Sequence, residues 1–164
     1  MQFKYRFTVF TPCFNAEKVI HRVIESIENQ TFTDFEWLVV NDASTDNTLR
    51  ILEHYKANAR FPMKLFNNER NRMLYYNYNL AFQESEGELF VLFDHDDRFD
   101  PKTLEIFDQT WQNHKGINIA GIWCLAKYQN GILVGNMYPQ DLFISNYFEL
   151  FERYIYKQER FGCT

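Results

Sequence analysis

Leu89-Phe90-Val91-Leu92-Phe93-Asp94-His95-Asp96-Asp97 is the stretch on which the reading of this chain turns: five apolar residues in a row, then three carboxylates within four positions. An unbroken apolar run of that length suits a strand covered on both faces, as in a parallel sheet. Its abrupt end puts Asp94, Asp96 and Asp97 at the carboxyl end of that strand. Carboxylates so crowded repel one another unless water or a cation relieves them. Mg²⁺ and Mn²⁺ prefer oxygen ligands, and Mg²⁺ is commonly held by one or two carboxylates plus the phosphate oxygens of a substrate. The ligand implied is a phosphorylated molecule. A solvated acidic turn, with Asp97 or Asp100 capping a helix opened by Pro101, explains an isolated cluster equally well. The buried strand in front of it favours the metal-bearing reading, because an acid run has no packing reason to close such a strand. An EF-hand loop would use Asp94, Asp96 and Glu105, but Arg98, Phe99 and Pro101 fall where that loop needs a ligand, a glycine and no proline.

Upstream, strand and helix patterns alternate. Phe7 to Phe10 is apolar, and Pro12 to Asn15 reads as a loop. From Glu17 to Gln30 the residues Val19, Ile20, Val23, Ile24 and Ile27 recur at helical spacing, with Glu17, Arg22, Glu25 and Glu28 on the other face. Phe35 to Val40 predicts a second strand running into the polar loop Asn41 to Asp46, after which Ser44 or Thr45 can cap a helix buried through Leu49, Leu52 and Tyr55. Met63 to Phe66 predicts a third strand. Arg70 to Glu86 predicts a helix with Leu74, Tyr78, Ala81 and Phe82 inward and Gly87 as its C-cap. Downstream, Pro101 opens a helix to about Thr110. Ile117 to Met137 reads as a β-hairpin about Asn130-Gly131 in a type I′ turn, and Leu142 to Lys157 as another helix. The pattern predicts one α/β domain over 1–164: a doubly wound, mostly parallel sheet with a C-terminal hairpin. Ligands of such sheets bind outside the carboxyl ends of the strands, where Thr11 to Glu17, Asn41 to Thr48 and Asp94 to Asp100 converge.

Composition narrows the classes. The chain has 164 residues, 46% of them hydrophobic and only 6 Gly and 4 Pro, so a folded domain with a substantial core is expected. Its formal net charge is -5 with no basic run, which argues against nucleic acid as partner. No apolar run reaches membrane-span or signal-peptide length, so a cytoplasmic chain is expected. Cys13, Cys124 and Cys163 are odd in number and far apart, which predicts thiols rather than a disulfide framework or zinc site. Asp42 and Asp46 read singly as loop or cap residues; with Asn15 they form a set in which a strand-end carboxylate can accept an N–H of a nucleobase. Arg70 and Arg72 can neutralise a diphosphate, or be charges at an exposed helix start. His21 and His95 have no ligand partners at usable spacing.

Four motifs in order carry a resemblance: Phe10-Thr11-Pro12-Cys13-Phe14-Asn15-Ala16-Glu17, then Gln30-Thr31-Phe32-Thr33-Asp34-Phe35-Glu36, then Val40 to Thr48 (VNDASTDNT), then Gly87-Glu88 with Asp94-His95-Asp96-Asp97. Over residues 7 to 101 the chain resembles family 2 glycosyltransferases. The resemblance implies a GT-A, Rossmann-like fold and inverting transfer of a sugar from a nucleotide-diphospho-sugar, usually a UDP-sugar, to a glycan or lipid-linked acceptor. It implies that Pro12, Phe14, Asn15 and Glu17 line the nucleoside pocket and that Asp42 contacts the base. Asp94 and Asp96 form the DxD motif, with Asp96 or Asp97 holding Mn²⁺ or Mg²⁺. Two departures stand out: Cys13 occupies a position where small or aromatic residues are common, and Tyr75 and Tyr76 replace a basic residue. The family's catalytic base belongs beyond the hairpin, so the chain reads as truncated on the acceptor side; Glu149, Glu152 and Glu159 are its late acids, read as a solvated face. Peripheral association of a longer protein with a membrane is a family-level expectation. A donor-binding module without turnover is the alternative, and a receiver-type Mg²⁺-binding domain is disfavoured because Thr11 to Asn15 hold no acidic pair after the first strand.

Overall fold

The computed structural model describes residues 2–116, 121, 122, 124–128 and 130–134. It comprises two compact units, Met1–Ile119 and Ala120–Thr164. The first unit runs β1 (Tyr5–Cys13), α1 (Ile20–Glu28), β2 (Phe35–Asn41), α2 (Thr48–Lys56), β3 (Met63–Asn67), α3 (Met73–Glu84), β4 (Gly87–Leu92) and α4 (Thr103–His114). The four strands form one sheet in the order β3-β2-β1-β4, and every pairing is parallel.

Alternation along the strands assigns the layers. Val9, Trp37 and Val39 pack with Ile20, Val23 and Ile27 of α1, Leu52 of α2 and Leu104 of α4. Phe10, Leu38 and Val40, one residue out of step, pack on the other face against Ala81, Tyr78 and Leu80 of α3. The reason is topological. β1, β2 and β3 step one way across the sheet with α1 and α2 on one face; the return from β3 to β4 goes the other way, and a right-handed crossover then puts α3 opposite. The chain reverses between β1 and β4, so a crevice opens there at the carboxyl ends of the strands.

Several expectations are corrected. β1 continues through Pro12 to Cys13, with Pro12 beside Val40, although Pro12 to Asn15 read as loop. Proline is tolerated because β4 pairs with β1 only as far as Phe10 beside Leu92, so no ladder partner waits for the missing N–H. Neither Ser44 nor Thr45 caps α2; Asp46 Oδ1 accepts the Thr48 N–H at 3.0 Å and its hydroxyl at 2.5 Å. In α3 the inward face is Asn77 and Ala81, while Leu74 and Phe82 are exposed. Gly87 is not a helix C-cap but the first residue of β4, and Ser85 ends α3 in an extended conformation. A Cβ on Gly87 would lie 2.3 Å from Thr8 N and 2.5 Å from the Phe7 carbonyl carbon, so close approach to β1 is what requires glycine there. Pro101 and Lys102 form a turn ahead of α4.

In the second unit an antiparallel bridge joins Lys127 and Leu133. Tyr128 N–H donates to the Ile132 carbonyl and Gly131 N–H to the Tyr128 carbonyl, both at 2.8 Å, with Gly131 at φ +82°. The turn is thus one residue longer than the two-residue type I′ turn expected, and glycine takes its left-handed position. The expected helix from Leu142 to Lys157, Glu149, Glu152, Glu159 and Cys163 lie outside the described residues.

Candidate functional site

The loop after β1 is bolted to the loop after β2. Asn15 takes φ +51°, its N–H donates to Ser44 Oγ at 3.0 Å, and its Oδ1 accepts the Thr45 N–H at 2.8 Å. Glu17 repeats the pattern: its N–H donates to Asp46 Oδ2 at 3.0 Å, while its carboxylate accepts the Asn47 N–H at 3.1 Å and the Asn47 amide at 2.8 Å. Those two bonds to Asn47 hold the Glu17 carboxyl below the usual carboxylate range. Asn15 and Glu17 therefore shape the site as ties between loops. Pro12 and Phe14 line the cavity itself, beside the buried thiol of Cys13, whose pKa burial pushes far up.

Asp42, at the end of β2, reaches across to α3. Oδ1 accepts Asn68 Nδ2–H at 2.7 Å and Arg72 N–H at 2.8 Å; Oδ2 accepts Met73 N–H at 3.0 Å. The first turn of α3 has no acidic residue of its own, so Asp42 supplies the negative charge its N-terminus favours. Burial pushes the Asp42 carboxyl up, yet these donors and the Asn77 amide outweigh it and the net shift is down. Met73 takes φ +66° to turn its N–H onto the carboxylate, and Ala43, after β2, takes φ +59°. Asn15 in the loop after β1, Ala43 in the loop after β2 and Met73 at the first position of α3 are the non-glycine residues at positive φ among those described, a concentration of backbone strain at one sheet edge. The Arg72 guanidinium rests 4.9 Å above the Tyr76 ring, and Arg70 is exposed in the preceding turn.

The loop after β4 closes the crevice. His95 Nδ1–H donates to the Pro12 carbonyl at 3.1 Å, using the acceptor that the end of β4 leaves free. Asp94 and His95 line the cavity; Asp96 and Asp97 are exposed beside them. Burial, then the Asp96 charge, holds Asp94 above the usual carboxylate range, and partial desolvation, then the charges of Asp96 and Asp94, does the same for Asp97. The cavity encloses about 300 Å³, with Asp42 and Asp94 as its acids and Pro12, Phe14, Met73 and Leu74 as apolar walls. That suits a flat ring held between apolar side chains and oriented by a few polar groups.

Of the residues singled out from sequence, the cavity gathers Pro12, Phe14, Asp42 and Asp94. It also recruits Cys13, Asn71, Met73, Leu74, Asn77 and His95, which sequence reasoning did not assign. Asn77 left a readable signal: an amide four residues before Ala81, on what would otherwise be an apolar face. Met73 left none, since a left-handed φ is ordinarily the province of Gly or Asn.

Comparison with known proteins agrees with this geometry. The family model "Glycosyl transferase family 2" matches residues 8–159. A putative glycosyltransferase, EpsE of Bacillus subtilis (strain 168), is 29% identical over 132 residues, covering 80% of this chain and 48% of that protein. The structure of Staphylococcus aureus TarS, a poly(ribitol-phosphate) β-N-acetylglucosaminyltransferase, in complex with UDP-GlcNAc superposes with TM-score 0.63 at 33% identity, covering 67% of this chain and 32% of that one. The mannosyltransferase PcManGT of Pyrobaculum calidifontis, in complex with GDP-Man and Mn²⁺, superposes with TM-score 0.58 at 25% identity, over 63% of this chain and 31% of that one. The chain spans about half or less of the length of these proteins. With the parallel α/β sheet, the convergent strand-end loops and a family match over nearly its whole length, this chain belongs to glycosyl transferase family 2.

Proposed function

We propose that this chain binds the nucleotide-diphospho-sugar donor, a UDP-sugar, of an inverting glycosyltransferase whose acceptor is a glycan or lipid-linked glycan, working at the cytoplasmic face of a membrane. One observation carries the reading: an apolar-walled cavity at the carboxyl edge of the sheet, lined by the carboxylates of both Asp42 and Asp94, with Asp96 and Asp97 exposed next to Asp94. Similarity to TarS bound to UDP-GlcNAc supports a UDP-sugar. Pro12 and Phe14 contact the nucleoside, Asp42 accepts an N–H of the base, and Arg70 meets the diphosphate. Arg72 contributes less, because its guanidinium rests on Tyr76.

The acids fit a divalent cation completed by its substrate. Among the described residues no three or more His, Cys, Asp or Glu side chains close into a set that holds a metal unaided. Asp94 and Asp97 nevertheless sit with carboxyls raised by burial and by neighbouring acids, the condition a hard dication relieves. One or two carboxylates plus phosphate oxygens is how Mg²⁺ is ordinarily held. Asp96 and Asp97, with Asp94 beside them, would hold the ion, and when bound it supplies charge to offset that developing on the departing nucleoside diphosphate. No base is assigned among the described residues.

Calorimetric titration of UDP with and without Mn²⁺ tests this on the parent chain and on an Asp96→Ala plus Asp97→Ala variant. Mn²⁺ is expected to tighten binding about tenfold or more in the parent, equivalent to at least about 1.4 kcal/mol, and not in the variant. Equal, metal-independent affinity in both proteins would overturn the assignment.

A further inference from the structure

The acidic turn beside the cavity hangs from β1 by a side chain, at a point where the backbone ladder breaks off. In a parallel pair, alternate residues of one strand donate to and accept from the strand beside it, two positions further on at each step. Phe93 N–H donates to the Phe10 carbonyl at 2.8 Å. The rungs to follow would be Pro12 N–H to the Phe93 carbonyl, and then the N–H of residue 95 to the Pro12 carbonyl. Proline has no N–H, so the first of these cannot form. The backbone turns away instead: Asp97 N–H donates to the Asp94 carbonyl at 3.2 Å, which makes His95 and Asp96 the central residues of a tight turn. The acceptor of the second rung is still used, because the His95 imidazole Nδ1 stands 3.1 Å from the Pro12 carbonyl oxygen. A carbonyl oxygen only accepts, so Nδ1 carries a proton.

That bond is not what packs the segment, which has anchors on either side. Phe93 is 1% exposed and its ring stacks on that of Phe99 with centroids 3.7 Å apart, while Phe99 N–H donates to Ser26 Oγ at 3.2 Å. Of the turn residues between them, Asp94 to Asp97, His95 is the one whose side chain bonds to another strand among the described residues. Three carboxylates in so short a turn repel one another and favour its opening, and a tether that opposes this preorganises them for a cation. Resting on the donor-site reading above, we infer that His95 is a positioning residue for the divalent cation: by taking the rung to Pro12 that the backbone forgoes, its imidazole holds the acidic turn at the cavity edge. Pro12 and His95 line the same cavity, so one bond fixes the acids relative to the wall on which the nucleoside rests. His95 itself needs no contact with the ion.

The test is calorimetric titration of UDP with and without Mn²⁺ on the parent chain and on His95→Ala, His95→Phe and His95→Asn variants. The ratio of the two affinities isolates the cation, since a change in the nucleoside contacts enters both titrations alike. Phenylalanine keeps a ring and removes the donor; asparagine offers an amide N–H at about the reach of Nδ1. Mn²⁺ is expected to tighten UDP about tenfold or more in the parent and about threefold or less in His95→Ala and His95→Phe, the scale of loss when a group that orients metal ligands is removed. His95→Asn should bring the ratio back to within about twofold of the parent, because the bond to Pro12 is restored. A parent ratio kept in His95→Ala and His95→Phe overturns the inference, and this includes variants that weaken UDP equally with and without Mn²⁺, the result a merely structural role gives. A ratio that falls equally in all three variants overturns it too, because the imidazole would then act on the ion directly. A parent that binds no UDP, or binds it equally with and without Mn²⁺, overturns the donor-site reading itself, a different outcome from a parent ratio the variants leave unmoved. If circular dichroism shows His95→Ala unfolded, His95→Phe against His95→Asn decides.

Discussion

A strand-end carboxylate such as Asp42 takes its role from what lies beyond its own loop. The sequence places it after an apolar strand, but the donors it accepts come from Asn68, Arg72 and Met73, at least 26 residues away. Removing it leaves the first N–H groups of α3 and the Asn68 amide without their acceptor, so Asp42→Ala should cost about 1–3 kcal/mol in urea unfolding near neutral pH. Its pH dependence has a definite sign. The folded-state pKa of Asp42 lies below its ordinary value, because its donors outweigh burial. Its contribution is therefore complete above the unfolded carboxylate pKa of about 4 and is lost as pH falls through the lower folded value. Asp46, lowered by the Thr48 hydroxyl and N–H against the opposing effect of burial, behaves alike. The loss of stability on acidification below about pH 4 should accordingly be shallower in Asp42→Ala than in the parent. An unchanged acid limb would mean that the carboxylate is not ionised by these contacts. Asp94, Asp96 and Asp97 were legible as a group because their crowding is local. The bonding partners of Asn77 and His95 were not, since these are the Asn68 amide and the Pro12 carbonyl, brought to them by the fold.

At the scale of the element, periodicity located the helices and strands while contacts decided their ends. The apolar stripe of Ile20, Val23 and Ile27 buries α1 as its spacing predicts. The stripe expected of α3 is shifted instead, because its N-terminus is anchored by Asp42 and the helix rolls to bury Asn77 and Ala81. β1 outruns its predicted end because Pro12 needs no partner on the side where β4 has stopped. Gly87 shows the same dependence. Its N–H donates to Thr8 Oγ1 at 2.9 Å in a space where a Cβ would lie 2.3 Å from the Thr8 nitrogen. Gly87→Ala must push β4 off β1 and should cost about 2–3 kcal/mol, read as a lowered midpoint in thermal or urea unfolding. A change below about 0.5 kcal/mol, the usual range at unconstrained surface positions, would show that the approach is not tight.

Across the whole molecule, stability and chemistry occupy opposite edges of the sheet. At the amino ends of the strands, the fully buried Glu36 accepts the Thr8 hydroxyl at 2.7 Å and the Glu86 N–H at 2.6 Å, and faces Lys64 Nζ at 3.0 Å. Lys64 also pairs with Glu86 at 2.9 Å. Burial pushes the Lys64 ammonium pKa down, but the two carboxylates outweigh it and hold it up. Lys64→Met strands a buried carboxylate and should cost about 3 kcal/mol, while UDP affinity measured on the folded fraction stays within about twofold, because the cavity lies at the other edge. A parallel loss of affinity would show that the two edges are coupled. The sequence by itself determined the α/β class, the parallel sheet, the family and the acidic strand end, since alternation of apolar periods and clustered charge are properties of neighbours in the chain. Only the tertiary structure decided that Asn15 and Glu17 tie loops together, that Asp42 anchors α3, and that Met73, Asn77 and His95 complete the cavity. Those roles depend on hydrogen bonds between residues as many as 83 positions apart, and such partners are fixed by the strand order and the reversal between β1 and β4, not by local propensity.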